Sequence, residues 1–152
     1  MKHIRTIITD DEPAAREHLV RLLAQDQELE VVAECRNGQE AVDAVRKHRP
    51  DLLLLDIQMP QMNGLETVRA IPKDQLPFVV FVTAFDHYAI KAFELCAVDY
   101  LLKPYDDERF FAALDKAKRH IALRENDRLS GRFMDIMREH LHARSEHVES
   151  FT

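Results

Sequence analysis

The sequence predicts an α/β fold, a doubly wound five-stranded parallel sheet with an extended C-terminal helical segment. Three observations point there: five short apolar runs recur along the chain, stretches of helical spacing lie between them, and four of the runs are closed by residues able to do chemistry. The runs are Ile4–Thr9, Val31–Cys35, Leu52–Leu55, Phe78–Val82 and Asp99–Leu102, each rich in Ile, Val, Leu or Phe, and they read as fully buried strands.

The helices follow from spacing and end signals. Pro13 stands after an acidic residue as first-turn prolines do, and Ala15, Leu19, Leu22 and Leu23 share one helical face. Ala41, Val42 and Val45 do the same before the third run, and further helices are expected over Gly64–Ile71, Asp86–Leu95 and Asp106–Leu123. In the last, Phe110, Leu114, Ala117 and Ile121 form the stripe, and Asp106, Asp107 and Glu108 occupy the positive end of the helix dipole. Strand–helix alternation implies right-handed crossovers with helices on both faces of the sheet. The second run ends without chemically useful groups, which suits an edge position in the 2-1-3-4-5 order of flavodoxin-like sheets.

Composition narrows the function. With 152 residues, 46% hydrophobic and 32% charged, the chain matches one soluble globular domain. The apolar run Phe78–Val82 is far shorter than the roughly 20 residues a membrane helix needs, and Asp10-Asp11-Glu12 interrupts the N-terminus where a signal peptide would continue. A cytoplasmic protein with no membrane partner is expected. The net charge of −6 argues against direct contact with a phosphate backbone or an anionic surface. Glycine occurs only at positions 38, 64 and 131, so no glycine-rich phosphate loop exists. Cys35 and Cys96 have no partner at metal-binding or redox spacing and are expected to be reduced, buried packing residues.

In a doubly wound sheet, ligands bind at the carboxyl ends of the strands. Asp10 and Asp11 follow the first run, Asp56 the third, Thr83 the fourth and Lys103 the fifth. Three carboxylates in one crevice repel one another, and a hard dication relieves that repulsion. An open three-acid site suits Mg²⁺ better than calcium, which takes six to eight oxygens. A carboxylate can also be the nucleophile that accepts a phosphoryl group. Transfer then needs positive charge and donors around the phosphoryl oxygens, which Lys103 and Thr83 can supply beside the metal. Ala84 leaves room there, and Pro104 stiffens the turn that aims Lys103.

At this point the stretches TDDEPAAR, LLLLDIQMPQMNGLE and FVTAFDHYAIKAFELCAVDYLLKP, in this order, closely resemble the receiver domain of two-component response regulators, over residues 3 to about 123. The run TAFDHYAIKAFELCAVDYLLKP resembles more narrowly the receivers of the LytTR (LytR/AlgR-type) family. The resemblance implies that Asp56 is the phosphoacceptor and that Asp11, Asp56 and the backbone carbonyl of Gln58 bind Mg²⁺, with Asp10 acting directly or through water. It further implies that Thr83 and Lys103 contact the phosphoryl oxygens, that Tyr100 is the switch aromatic, and that the Lys103–Pro104 peptide is cis. The implied partners are a sensor histidine kinase, a second copy of the chain on phosphorylation, and DNA only through a C-terminal domain absent from this chain.

Plainer readings stand beside these. Asp10-Asp11-Glu12 also reads as a cap for the first helix, and Tyr100 as an ordinary half-buried sheet aromatic. Gln58 and Phe85 flank the approaches to Asp56. A phosphorylation-independent docking module is the alternative in the binding class. An aspartate-nucleophile phosphatase is the enzyme alternative, but such enzymes carry a second acid two residues on, where this chain has Gln58. A flavin protein would set its phosphate against Asp10, Asp11 and Glu12, whose charges repel it.

Residues 124–152 are expected to be a helical linker or tail, helical from Asp127 to about His142, leading toward a LytTR DNA-binding domain. Leu129, Phe133, Ile136, Met137 and Leu141 form an apolar stripe suited to pairing, and His140, His142 and His147 read as a solvated face rather than a metal site.

Overall fold

In the computed structural model, which describes residues 3–144, five strands alternate with five helices. The strands are β1 (Ile4–Thr9), β2 (Leu29–Cys35), β3 (Leu52–Leu55), β4 (Phe78–Thr83) and β5 (Asp99–Leu102). The helices are α1 (Pro13–Leu23), α2 (Gly38–His48), α3 (Gly64–Ala70), α4 (Ala89–Glu94) and α5 (Asp107–Arg144), with a 3-10 turn at Lys73–Gln75. All pairings are parallel, in the order β2-β1-β3-β4-β5, the flavodoxin-like order. The strand order reverses between β1 and β3, and the crevice at their carboxyl ends is the ligand-binding position of such sheets.

Burial follows sheet position. Every residue of β3 is buried, as are all but one in each of β1 and β4. The expectation of five fully buried strands fails at the two edges: β2 and β5 are mostly half-buried, with Glu30, Glu34 and Leu102 exposed. An edge strand has a neighbour on one side only, so the flanking helices cover it incompletely. The core around Ile7, Leu53, Leu55 and Phe81 takes in Ala41, Val42 and Val45 of α2 and Leu65 and Val68 of α3.

Local chemistry sets the helix ends. Asn37 caps α2 by accepting from Glu40 N at 2.8 Å, and Asn63 forms a capping box with Glu66 at the start of α3. Asp106 accepts from Arg109 N at 2.7 Å where α5 begins. The fourth helix starts at Ala89 rather than Asp86, because Tyr88 holds the cap position with no side-chain cap bond. Beyond its end Cys96 takes a left-handed φ of 61° and is exposed, which corrects the expectation of a buried thiol there. The backbone reversal turns this residue outward while Ala97 N bonds back to Ala92 O. Cys35 is buried as expected, and burial, with Glu40 nearby, pushes its thiol up to about 11.

The chain divides into two compact units, Met1–Lys118 and Arg119–Thr152. The first contains the sheet. In the second, α5 is helical through Arg144, with Leu129 and Ile136 exposed. His147 and the side chains of Phe133, His140, Leu141 and His142 lie outside the described residues.

Candidate functional site

The site residues sit where the sheet ladder runs one residue past the strands. Asp10 N donates to Cys35 O, Asp56 N to Thr9 O, and Lys103 N to Thr83 O, at 3.1, 3.0 and 2.7 Å. The ends of β1, β3 and β5 thus fix the backbone of an acid, an acid and an amine. Gly64 holds the next turn against this framework, since a Cβ on it would lie 2.5 Å from the Asp56 carbonyl oxygen and 2.9 Å from Ile57 Cα.

Lys103 Nζ donates to Asp10 Oδ2 at 2.8 Å and to Asp56 Oδ2 at 3.4 Å. Asp10 and Asp56 are buried, while Asp11 is exposed at the cleft mouth. One carboxylate oxygen from each of Asp10, Asp11 and Asp56 lies within 4.8 Å of the others. These are hard oxygen donors on an open face, the kind of set Mg²⁺ takes, so the residues fit that ion. The remaining oxygens of the buried pair bond locally: Asp10 Oδ1 accepts from Glu12 N at 2.9 Å and Asp56 Oδ1 from Gln58 N at 3.2 Å. Glu12 holds the α1 cap position without a side-chain cap bond.

Burial raises the Asp56 carboxyl above the usual carboxylate range; the charge of Asp10 adds to this and Lys103 opposes it. Burial pulls Lys103 down, but its bond to Asp10 and the charges of Asp56 and Asp10 outweigh it, so the ammonium is held more tightly than usual. Two buried carboxylates therefore share one cation, and a second positive charge is electrostatically welcome.

Thr83 is fully buried at the end of β4, and its Oγ1 accepts from Phe85 N at 3.4 Å. Tyr100, half-buried on β5, donates its hydroxyl to the Phe85 carbonyl and packs its ring on Phe81. The Lys103–Pro104 peptide is cis. Asp11, Asp56, Gln58, Ala84, Phe85 and Lys103 line an open cleft of about 620 Å³. Ala14, Ala15, His18, Leu19, Pro104 and Tyr105 line the same cleft. The sequence reading assigned no site role to His18 or Tyr105. The available signal was the helical spacing of Ala14 and His18 just after the acidic pair, and the position of Tyr105 directly after Lys103-Pro104.

The sequence profile of the response regulator receiver domain matches residues 6–115. The chain belongs to this receiver domain family. The receiver is 51% identical over 115 residues to the transcriptional regulatory protein BtsR of Salmonella typhi, a match covering 76% of this chain and 48% of the relative. It is 46% identical over 123 residues to an uncharacterized response regulatory protein of Yersinia pestis, covering 81% and 52%. The chain spans about half the length of the curated relatives it matches. Among solved structures, the response regulatory domain of mrkE from Klebsiella pneumoniae superposes on the receiver with a TM-score of 0.73 at 32% identity, covering 78% of this chain and 98% of that one. The receiver domain of AraT from Geobacillus stearothermophilus gives 0.71 at 35% identity, covering 80% and 97%. The receiver is a signalling domain of two-component regulators, and among its described residues no helix is long and apolar enough to cross a membrane.

Proposed function

We propose that the receiver takes a phosphoryl group from a sensor histidine kinase onto Asp56 and controls transcription through a DNA-binding domain outside this chain. The observation that carries this reading is the Lys103 ammonium set between Asp10 and Asp56 in an open cleft holding three carboxylates. An Asp56 oxygen attacks the phosphorus and the donor leaves with the electron pair of the broken bond. Lys103 leaves its contact with Asp56 to meet a phosphoryl oxygen, and the Thr83 hydroxyl donates to another. Asp11, Asp56 and the Gln58 carbonyl, with Asp10 beside them, are the residues to hold Mg²⁺, which when bound neutralises charge on the carboxylates and the phosphoryl oxygens. Tyr100 is the switch aromatic, its hydroxyl bond to the Phe85 carbonyl coupling β5 to the loop that follows Thr83. The output is a shift of population between two arrangements of that region.

The protein is assigned to the cytoplasm, where such kinases present their donor. The narrower LytTR assignment rests on the run TAFDHYAIKAFELCAVDYLLKP alone. Two of the solved structures with this fold are described as LuxR family, so the fold does not choose the output class. The apolar stripe of the tail is the proposed pairing face of a homodimer.

Intact mass after incubation with acetyl phosphate, with and without Mg²⁺, tests the central claim. One added phosphoryl group is expected in the parent with Mg²⁺ and none in Asp56→Asn. Stoichiometric labelling of Asp56→Asn would remove the assignment, and labelling of neither would favour a phosphorylation-independent docking module.

A further inference from the structure

Asp10 is held at all four of its polar atoms. Its N–H donates to Cys35 O at 3.1 Å, Oδ1 accepts from Glu12 N at 2.9 Å, and Oδ2 accepts from Lys103 Nζ at 2.8 Å. The fourth bond reaches the main-chain carbonyl, where Arg16 Nη1 donates to Asp10 O at 2.7 Å. Arg16 closes the stretch TDDEPAAR and is half-buried in α1, three residues after Pro13 opens that helix. A cation near the positive end of a helix dipole gains nothing from its own helix. The Asp10 carbonyl is what this guanidinium serves.

The peptide group between Asp10 and Asp11 is planar, so the direction of the Asp10 carbonyl also sets where the Asp11 nitrogen and Cα lie. Asp11 itself makes no hydrogen bond among the described residues, yet one oxygen of its exposed carboxylate lies within 4.8 Å of an oxygen of Asp10 and of Asp56. We propose that Arg16 is a positioning residue of the phosphoryl-transfer site: it grips the Asp10 carbonyl, fixes the Asp10–Asp11 peptide and so aims both carboxylates at one Mg²⁺ ion. This deepens the reading of Asp56 as acceptor beside a Mg²⁺ site, and rests on it. Cys35 anchors the end of β1 from β2, and Arg16 anchors it from α1. Without the guanidinium the peptide can turn toward water, and the Asp11 carboxylate loses its set direction. Charge and position act in opposite senses here. A guanidinium beside a cation site repels Mg²⁺, so removal of its charge alone tightens the ion, whereas loss of the clamp weakens it.

Calorimetric titration with Mg²⁺ tests this in the parent, Arg16→Met, Arg16→Lys and Arg16→Gln, each checked for native circular dichroism. Arg16→Met is expected to bind Mg²⁺ about tenfold more weakly than the parent, the low end of what losing a residue that orients a metal ligand costs. Arg16→Lys, which keeps a long side chain ending in a donor, should recover most of that loss. In labelling by acetyl phosphate, the Mg²⁺ concentration giving half the maximal rate should rise by the same factor. A merely structural role lowers stability in urea and leaves the Mg²⁺ affinity of the folded protein unchanged. Should Arg16→Met fail to fold, the lysine and glutamine variants carry the same sign: the clamp predicts tighter Mg²⁺ in Arg16→Lys, charge alone predicts it in Arg16→Gln. Affinity in Arg16→Met equal to the parent's or higher, or tighter binding in Arg16→Gln than in Arg16→Lys, overturns the clamp while Mg²⁺ binding by the parent upholds the acid site. Absence of Mg²⁺ binding in the parent overturns the metal assignment and the clamp together.

Discussion

Lys103 and Asp10 lie 93 residues apart in the chain and 2.8 Å apart in space, and the same ammonium reaches Asp56 at 3.4 Å. One cation serving two buried carboxylates makes Lys103 a structural counter-ion before any phosphoryl group arrives.

Removing that cation exposes the repulsion it offsets. Lys103→Met is expected to lose about 1–3 kcal/mol of stability in EDTA, because a buried ion pair broken from one side leaves uncompensated charge. Urea denaturation with and without Mg²⁺ checks it: the ion should restore more stability to Lys103→Met than to the parent. An equal Mg²⁺ gain in both proteins would contradict the shared-cation picture.

The raised Asp56 carboxyl has the opposite consequence. The folded state holds the Asp56 proton more tightly than the unfolded chain does, so stability falls as pH rises through the unfolded value toward the folded one, and the penalty is complete above it. Asp56→Asn, which carries no charge there, should therefore be more stable than the parent at neutral pH in EDTA, by about 0.5–3 kcal/mol. The difference should shrink on acidification through that window. Denaturation curves at several pH values give the answer, and a less stable Asp56→Asn at neutral pH would refute it.

Gly64→Ala is expected to lower both stability and labelling. The new Cβ meets the Asp56 carbonyl oxygen and Ile57 Cα, backbone atoms of the acceptor segment that cannot swing aside. Overpacking of this kind costs about 1–3 kcal/mol, and the displaced acceptor should be labelled more slowly by acetyl phosphate at equal folded concentration. Retention of the parent rate would show that the segment yields without moving Asp56.

The two thiols should differ sharply toward an alkylating reagent. Cys96 is exposed, whereas Cys35 is buried with its thiol pushed up to about 11. Native protein is expected to take one label quickly and the second only in denaturant, located by peptide mass. Rapid double labelling of native protein would be inconsistent with the packing around Cys35.

Truncation after Leu123 removes the apolar stripe that includes the exposed Leu129 and Ile136. If the tail pairs two copies, the shortened chain should be monomeric at concentrations where the full chain, phosphorylated, is dimeric. Light scattering on both decides it, and identical masses would dismiss the tail as the pairing face.

The buried strands were readable because their signal is local. Leu52–Leu55 and Phe78–Val82 are apolar without interruption, which only a strand covered on both faces tolerates. The same logic overstated β2 and β5, since run composition does not reveal which strand lies at an edge. Residues ending the strands could also be found, because Asp10, Asp56, Thr83 and Lys103 each close a run. The start of α4 and the exposure of Cys96 could not, because they depend on a missing cap bond and a single left-handed residue.

Residue order alone thus determined the alternation of strands and helices, the placing of three acids, a hydroxyl and an amine at one end of the sheet, and through their motifs the receiver resemblance. Only tertiary structure decided that Lys103 pairs with Asp10 and Asp56 while Asp11 faces solvent, and that His18 stacks on Tyr105. The first set follows from periodicity and strand ends within short windows. The second depends on distances between residues far apart in the chain, set by strand order, helix packing and the balance of burial against charge.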